Sequence, residues 1–376
     1  MKKKIAVIGS GIAGLTIANL FKGNSNFEVM VYEKEKILSL VEGYGIQLSP
    51  NSTSILNKIG LSNIDNKDFF NPSKLNFYSS DNQKICDLDL SRFNSEKSKY
   101  TTLKRSVLIE FLKNKLFSNN LKFGKEVKKI SKIKEKLLIN FKDNSNDLVD
   151  FIVVSDGVFS NTKLIAENKS ILPIYNGSIA IRTILKNSPE PNYDKNSISL
   201  VMLKNAHIVI YPINKKGEFN VVCIIRQKLS NNIDLKALIK KEIISQNKNL
   251  ENLFDNQLEY WPIYTSKKPS KSIYENLFYI GDAFYTFPPT MAQGASQSIE
   301  AANELFNLLS KDNKHTPDLF FKKRLERTKV IDRRSKLNHH IFHFSNPILK
   351  TVRNESLKIM LKNKTFLDNY IGKVYK

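Results

Sequence analysis

The sequence contains few of the residues that build disulfide-stabilised or metal-dependent sites. Its 376 residues include two cysteines, Cys86 and Cys223, and five histidines. Two cysteines exclude a disulfide framework and fit a reducing compartment, and the histidines show no zinc or iron–sulfur spacing. The Gly-x-Ser-x-Gly elbow of serine hydrolases is also missing. The sequence therefore argues against a disulfide-rich secreted scaffold, a zinc enzyme and a serine hydrolase.

Long apolar runs are equally scarce. The one candidate, residues 5–20, follows the basic stretch 1–4 and has the outline of a signal peptide. It is interrupted by three glycines, however, and it contains the polar residues Ser10, Thr16 and Asn19. No other run approaches the roughly 18–20 apolar residues that span a bilayer. We therefore expect a soluble, cytoplasmic protein.

Acidic residues are too few to balance the basic ones. The chain has 36 Asp and Glu against 59 Lys and Arg, which gives a net charge of +23. Such a charge attracts nucleic acids or anionic membranes. The lysines are scattered through every segment among many Asn and Ile residues, so a compositional bias explains the charge at least as well. We expect no nucleic-acid partner and keep weak membrane-surface contact as an alternative.

Only 14 glycines occur, but three of them form the motif Gly9-Ser10-Gly11-Ile12-Ala13-Gly14 between a strand pattern and a helix pattern. The first glycine permits a tight turn, the second lets backbone N–H groups approach a pyrophosphate, and the third lets the helix pack on the strand. Glu33 ends the next strand pattern, where its carboxylate can accept both hydroxyls of an adenosine ribose. The pattern predicts dinucleotide binding, without distinguishing FAD from NAD, by Gly9, Gly11, Ile12, Ala13, Gly14, Glu33 and Lys34.

A second segment, residues 281–295, reads GDAFYTFPPTMAQGA. Together with the glycine turn it resembles the flavin site of the FAD-dependent aromatic hydroxylases of the p-hydroxybenzoate and salicylate hydroxylase type. The resemblance implies that the glycine turn holds the ADP end of FAD, that Asp282 holds the ribityl hydroxyls, and that Pro289 lies beside the flavin ring. The helix start at 293–295 would meet the O2/N1 edge of the ring, where charge builds on reduction.

Shorter segments between these two halves extend the resemblance. The turn Asp156-Gly157 matches a motif that helps bind the pyrophosphate and the pyridine nucleotide, and the segment 43–48 matches the loop over the flavin. Arg105 matches an arginine that contacts the cofactor, and Val127 matches a strand residue whose backbone meets the adenine. The further cofactor-binding residues that the resemblance implies are Gly45, Ile46, Arg105, Val127, Asp156, Gly157, Asp282, Pro289, Gln293, Gly294 and Ala295.

Two positions depart from the family pattern. The family usually has an arginine shortly after the Asp-Gly turn, whereas this chain has Asn161-Thr162-Lys163. Lys163 can carry the charge but cannot make a two-pronged contact. Tyr285 stands where the family usually has histidine. It keeps an aromatic hydrogen-bonding group but cannot become a cation at neutral pH.

The order of strand and helix patterns predicts an α/β fold. We expect a Rossmann-type FAD-binding domain with an inserted antiparallel β-sheet substrate domain and C-terminal helices. The FAD-binding domain is predicted to be discontinuous and to comprise residues 1–74, 98–172 and 266–310. The substrate domain would comprise 75–97 and 173–265, and a helical segment would follow over 311–376.

The resemblance also implies a reaction. NADH or NADPH would reduce FAD, O2 would add to the flavin C4a carbon, and the hydroperoxide would hydroxylate a small aromatic or quinone-like substrate. No side chain is needed as a nucleophile, so the catalytic residues stay unassigned, with Pro289, Tyr285, Tyr211 and Arg182 as candidates and Met202 as a further wall residue. A reductase or halogenase of the same fold would share every cofactor residue. A non-catalytic flavin-binding module is a different alternative, which the complete segment 282–295 disfavours.

The C-terminal tail carries an amphipathic pattern. Its apolar residues Ile348, Leu349, Val352, Ile359 and Met360 fall on one helical face, with Lys350, Arg353, Lys358 and Lys362 around them. The pattern indicates either a helix packed on the FAD-binding domain or contact with a membrane that holds an apolar substrate. The nearby histidines His339, His340 and His343 are expected to have surface or packing roles.

Overall fold

The fold is taken from a computed structural model, which describes residues 2–38, 44–168, 172–187, 193–230, 232–269, 271–311 and 315–375. The strands, in chain order, are β1 Lys3–Ile8, β2 Phe27–Tyr32, β3 Gly45–Leu48, β4 Phe69–Phe70, β5 Lys74–Tyr78, β6 Lys84–Asp89, β7 Thr101–Lys104, β8 Leu121–Lys122, β9 Val127–Ile133, β10 Lys136–Phe141, β11 Asn146–Val149, β12 Phe151–Val154, β13 Ile174–Leu185, β14 Ile198–Leu203, β15 Ala206–Pro212, β16 Phe219–Arg226, β17 Glu259–Thr265 and β18 Leu277–Tyr279.

The helices follow the same chain order. They are α1 Ile12–Phe21, α2 Pro50–Ile59, α3 Arg105–Lys115, α4 Asn161–Glu167, α5 Leu235–Ile239, α6 Gly294–Ser310, α7 Thr316–Phe342, α8 Pro347–Lys362, α9 Lys364–Leu367 and α10 Lys373–Tyr375. Short 3-10 turns span Leu61–Asn63, Ser91–Phe93, Ser118–Asn120, Lys248–Phe254, Gly281–Ala283 and Pro289–Met291, and π-helical turns span Lys240–Ile244 and Asp368–Gly372.

A five-stranded parallel sheet in the order β18-β12-β1-β2-β8 forms the centre of the nucleotide-binding half. Its central strands are continuous apolar runs because helices cover both faces of a parallel sheet. Helix α1 is buried on nearly every side, since it packs against both α3 and α6. The carboxyl ends of β1, β12 and β18 meet at one edge, and the three segments predicted to bind the cofactor follow these strands.

A seven-stranded sheet in the order β17-β13-β16-β15-β14-β5-β6 lies beside this half. Strands from 74–89 and from 174–265 share it, although the intervening chain belongs to the other half. The sheet differs from the predicted purely antiparallel sheet in one pairing, because β5 and β14 run parallel. The remaining pairs are antiparallel. One face packs on the helical segment 235–254, and the other faces the C-terminal helices.

The C-terminal helices close the fold over this second face. Helix α7 presents a buried stripe with three- and four-residue spacing, formed by Phe320, Arg324, Thr328, Ile331, Ser335, His339 and Phe342. Arg324 is fully buried, and its guanidinium donates to Glu300 and Gln297 of α6 at 2.9 and 2.8 Å. Within the described part of the chain, no helix combines the length and apolar character that a bilayer crossing requires.

Candidate functional site

The glycine turn between β1 and α1 is fixed by contacts that leave no room for side chains. Gly9 has a φ of +100°, and a Cβ there would lie 2.8 Å from the carbonyl oxygen of Ser155. A Cβ on Gly14 would lie 2.1 Å from the carbonyl oxygen of Gly9. Gly11 instead faces open space, since no atom lies within 4 Å of its Cβ position. The turn thus packs tightly on the protein side and is open where a pyrophosphate would approach.

Glu33 is held at the end of β2 by the same turn. Its Oε2 accepts hydrogen bonds from the backbone N–H of Ser10 at 2.9 Å and from the Ser10 hydroxyl at 2.6 Å. The chain at 124–127 runs alongside, because the N–H of Lys125 donates to the Glu33 carbonyl at 2.8 Å. Val127, which opens β9, is buried next to this edge. Lys34 points outward and pairs with Glu35 at 3.7 Å.

The Asp-Gly turn after β12 is linked to the second flavin segment by Lys163. Asp156 accepts the N–H of Thr162 through Oδ2, while its Oδ1 is buried and without a protein partner. Gly157 has a φ of +88°, and no atom lies within 4 Å of the position that a Cβ would take. Lys163 is buried, and its ammonium donates to the Ala283 carbonyl at 3.0 Å. Burial lowers the pKa of Lys163, against the opposing effect of Asp156 and Glu167. The lysine therefore joins two loops instead of extending a charge into solvent.

Asp282 lies at the bottom of the cleft between these loops. Its side chain is accessible because the cleft opens over it. Surrounding protein nevertheless displaces much of its water, which raises the pKa of Asp282 to about 6, while Arg105 opposes the shift. The two halves of the site touch here, because a Cβ on Gly281 would lie 3.0 Å from the Ala13 Cβ. The fold thus brings Asp282, Arg105 and the start of α1 together.

The start of α6 presents backbone to the cleft. Gln293 is buried, and its amide nitrogen donates to the Ser49 hydroxyl at 3.0 Å. A Cβ on Gly294 would have no neighbouring atom of the described chain within 4 Å, so the helix start is open on that side. Ala292 takes a φ of +51°, a left-handed conformation that is rare for a residue with a side chain. Pro289 is exposed at the head of the preceding turn.

The loop predicted to cover the flavin is described from Tyr44 onward, and Gly43 lies outside the described residues. The N–H of Gly45 donates to Asn220 Oδ1 at 2.7 Å. A Cβ on Gly45 would lie 2.6 Å from Ile213 Cγ2 and 2.7 Å from Asn220 Cβ. Ile46 follows on β3 and faces the cavity described next. Only glycine fits at position 45, because β3 passes directly against the seven-stranded sheet.

A cavity of about 650 Å³ extends from these flavin-side segments to helix α8. Its wall combines Gly45, Ile46, Pro289, Gly294 and Ala295 with largely apolar side chains of the seven-stranded sheet and the C-terminal helices. Arg182 lies in this wall above the Trp261 ring, 5.6 Å from its centroid, and its buried Nε lacks a protein partner. Tyr211 also lines the cavity. Burial raises the pKa of Tyr211 to about 12, although Arg182 and Gln47 oppose the shift.

One predicted wall residue, Met202, and one catalytic candidate, Tyr285, lie away from the cavity lining. Met202 alternates onto the same face of β14 as Leu200, which lines the cavity, but it lies farther along the strand, where core side chains enclose it. Tyr285 is likewise absent from the lining and packs in the core beneath the loop. Its hydroxyl bonds to Asp332 of α7, and burial together with that carboxylate raises the pKa of Tyr285 to about 12. Tyr285 thus supports the flavin-side loop from behind.

The structure adds residues that sequence reasoning missed. The Tyr100 hydroxyl donates to Gln47 at 2.8 Å, and Tyr375 and Tyr211 lie beside these two side chains. Together they form one polar group in a largely apolar cavity wall. Tyr375 stands near the end of the chain in α10, and nothing in its local sequence signals a role in the site.

A second missed group is a buried histidine cluster beside the cavity. His207 of β15 and His343 share a hydrogen bond of 2.7 Å between Nδ1 and Nε2, and His339 packs against His343. Burial lowers the pKa of His207 to about 3 and of His339 to about 4, so both rings are neutral. Surface or packing roles were expected of the histidines at the end of α7. The sequence did not indicate that His207, on the distant strand β15, would contact them.

These residues fit a bound FAD. The positions Gly11, Gly157 and Gly294 are open toward the cleft, whereas Gly9, Gly14 and Gly45 are crowded on the protein side. The unpartnered Asp156 Oδ1 and the accessible Asp282 carboxylate supply acceptors along the path from pyrophosphate to ribityl chain. Among the described residues, no cluster of His, Cys, Asp and Glu side chains could hold a metal ion.

The chain is similar in sequence to several known proteins. Residues 7–41 match the model of the NAD(P)-binding Rossmann-like domain. The chain is 25% identical to 6-hydroxynicotinate 3-monooxygenase of Bordetella bronchiseptica, over 92% of this chain and 94% of that protein. It is 23% identical to a 3-amino-4-hydroxybenzoate 2-monooxygenase of Streptomyces platensis, over 95% of this chain and 92% of that protein. The chain is related to the FAD-dependent aromatic monooxygenases.

Solved structures show the same fold. Klebsiella pneumoniae HpxO, complexed with FAD and uric acid, superposes with a TM-score of 0.87 at 17% identity, covering 99% of this chain and 96% of that chain. A salicylate hydroxylase substrate complex superposes with a TM-score of 0.81 at 16% identity, covering 100% and 97%. The predicted fold class, the resemblance to aromatic hydroxylases and the flavoprotein monooxygenase class are confirmed, and FAD is the cofactor that this relation supports.

Proposed function

We propose that this protein is an FAD-dependent monooxygenase that uses NADH or NADPH and O2 to hydroxylate an aromatic or quinone-like substrate. The observation that carries the proposal is the continuity of the flavin-side backbone with the substrate cavity. Gly45, Pro289 and Gly294 line the same space of about 650 Å³ as Arg182 and Tyr211 of the seven-stranded sheet. A ring bound there would lie against the predicted flavin position.

We further propose that the chain forms two domains, one that binds FAD and one that binds the substrate. Residues 1–74, 98–172 and 266–310 would form the FAD-binding domain, and 75–97 with 173–265 would form the substrate domain. Support comes from the strands, because those at 74–89 and 174–265 share one sheet while β1, β2, β12 and β18 share another. The cofactor would then lie between these two sheets, near the contact of β3 with β16 at Gly45 and Asn220.

In this proposal the chain holds the cofactor through backbone and carboxylates. Glu33 would accept the ribose hydroxyls, the N–H groups of the 9–14 turn would receive the pyrophosphate, and Asp282 would hold the ribityl chain. The N–H end of α6 would face the ring edge where negative charge develops, which favours that charge. When bound, FAD supplies the chemistry of hydride acceptance and O2 activation.

The cavity wall would then select the substrate and exclude water. Most of the lining is aliphatic or aromatic, which keeps the reacting centre dry. Among the polar residues of the wall, Arg182, Tyr211 and Gln47 lie near one another. An aromatic ring with one acidic or phenolic substituent fits this arrangement, because the substituent can meet Arg182 while the ring packs on the apolar wall. A non-catalytic flavin binder has no use for such a cavity.

The test is turnover by purified protein. The protein, reconstituted with FAD, is offered NADH or NADPH together with a panel of phenols, aromatic acids and hydroxylated heteroaromatics, and consumption of reduced nucleotide and O2 is followed. We expect a subset of the panel to stimulate both and to yield a hydroxylated product. Arg182→Met should retain FAD and raise KM for the acidic substrates. Nucleotide oxidation that proceeds without O2, with any panel member, would indicate a reductase instead.

A further inference from the structure

Helix α8 exposes an apolar face that no other part of the described chain covers. The side chains of Ile348, Leu349, Val352, Ile359 and Met360 are between 37% and 73% exposed. Their spacing places them in one stripe along the helix. The opposite side faces the protein, where Arg353 is buried and Leu357 and Leu361 pack on the apolar cluster that includes Leu88. The apolar stripe is therefore not the packing face of α8.

The same face is continuous with the cavity. Leu349, Val352 and Met360 are each more than a third exposed and also line the cavity of about 650 Å³. The cavity mouth therefore opens along α8, beside the apolar stripe. A ligand that enters here passes over aliphatic side chains first.

Charge distinguishes the candidate partners of this face. Besides the buried Arg353, helix α8 carries Lys350, Lys358 and Lys362 against Glu355, which pairs with Lys358 at 2.8 Å, and Lys364 follows the helix. Two copies of the chain docked through α8 would bring these lysines together, each within a chain of net charge +23. An anionic lipid surface offers both partners at once, because acyl chains accept the apolar stripe and headgroups attract the flanking lysines.

We propose that α8 lies in the interface of an anionic membrane and that its apolar face forms the access route for a lipid-soluble aromatic substrate. The membrane contact stands independently of the reaction, whereas the substrate class rests on the proposed monooxygenase function. The helix lies on the surface and does not cross it, and the cavity mouth faces the acyl chains.

Vesicle binding tests the contact. Holoprotein is mixed at low salt with vesicles of phosphatidylcholine plus phosphatidylglycerol, or of phosphatidylcholine alone, and bound protein is measured by flotation. We expect binding to the anionic vesicles only. The double variant Ile348→Glu with Ile359→Glu, whose positions do not line the cavity, should bind at least about tenfold more weakly. The control Ile273→Glu replaces an equally exposed isoleucine elsewhere and should bind like the wild type.

Three results would overturn the proposal. These are no binding of the wild type to anionic vesicles at low salt, equal binding by the double variant, and a concentration-dependent dimer that the double variant abolishes. Turnover separates the two parts of the inference. If vesicle binding follows the prediction but no phenol, free or lipid-embedded, is hydroxylated, the proposed function fails while the membrane contact stands. If soluble phenols are hydroxylated but lipid-embedded ones are not, the access role of α8 fails.

Discussion

The buried ammonium of Lys163 donates to the carbonyl oxygen of Ala283 at 3.0 Å and so joins the Asp156-Gly157 turn to the Asp282 loop. The two loops follow neighbouring parallel strands, β12 and β18, but are far apart in the sequence. Lys163 also lies near Asp156 and Glu167, which favour its charged form against burial. This link fixes the spacing of two loops that would hold neighbouring parts of the cofactor, the pyrophosphate and the ribityl chain.

Replacing Lys163 with methionine should weaken both the fold and the cofactor site. The change leaves the Ala283 carbonyl without a donor and two nearby carboxylates without a cation. Removing a buried charge partly offsets this loss of stability. We expect a loss of about 1–2 kcal/mol in the free energy of unfolding and weaker FAD binding. Urea unfolding and FAD titration measure the two effects. Lys195→Met, at an exposed lysine, is the control, and unchanged FAD affinity in Lys163→Met would refute the linking role.

Side chains introduced at Gly45 and at Gly294 should have different effects on stability and FAD binding. Gly45→Ala places a methyl group 2.6–2.7 Å from Ile213 and Asn220, so the FAD-free protein should lose about 1–3 kcal/mol. The Cβ of Gly294→Val would have no neighbouring atom of the described chain within 4 Å, so the FAD-free protein should unfold at nearly the wild-type midpoint. Its side chain would instead occupy the predicted flavin space and lower FAD content. Thermal unfolding of FAD-free protein and FAD content per chain distinguish the two. Full FAD content in Gly294→Val would contradict the placement of the ring.

The raised pKa of Asp282 predicts that the stability of the FAD-free protein depends on pH. Its pKa is raised from 3.8 to about 6, so the carboxyl favours folding while protonated, and this contribution is lost as pH rises through about 6. The accessible side chain is screened by water, which limits the contribution to about 1 kcal/mol or less. Asp282→Asn should match the wild type near pH 4, be relatively more stable near pH 8, and bind FAD more weakly. Urea unfolding at both pH values measures this, and a constant difference between the two proteins would rule it out.

The histidine cluster predicts sensitivity to acid. The pKa values of His207 and His339 are lowered from 6.5 to about 3 and about 4 by burial, and Arg226 and His340 oppose charging of His339 as well. The neutral rings stabilise the fold above about pH 6.5, and this stability is lost as pH falls toward the folded-state pKa values. Each such histidine costs about 1.4 kcal/mol per pH unit over that window. His207→Gln should therefore lose less stability than the wild type between about pH 6.5 and 5, and His315→Gln, at an exposed histidine, should not differ from it.

The sequence predicted those parts of the site that short segments determine. The strand, glycine turn and helix at 3–21, with Glu33 after β2, form within one β-α-β unit, so spacing alone locates them. The segment 281–295 was found through resemblance, since its turn and helix start have no strong pattern of their own. The same resemblance identified residues that act through their backbone, such as Gly45 and Gly294.

Residues that reach the site through tertiary packing were not predictable. Tyr375 and Tyr100 meet across the chain only because α10 folds back onto the sheet. The inward orientation of Tyr285 was not predictable, because a loop pattern does not reveal which side of a layer a side chain faces. Met202 was assigned to the cavity because a strand pattern does not reveal where along the strand a cavity ends. The alternation that marks a half-exposed strand is also lost in β14, which is buried at every position.

The source of the oxygen in the product tests the proposed monooxygenase reaction most directly. Holoprotein is incubated with the reduced nucleotide, isotopically labelled O2 and a substrate that stimulates turnover, and the product is analysed by mass spectrometry. We predict that a single labelled oxygen atom enters the aromatic ring and that an equal amount of NADH or NADPH is consumed. A product whose new oxygen comes from water, or nucleotide oxidation that yields only peroxide with every substrate tested, would contradict the proposal.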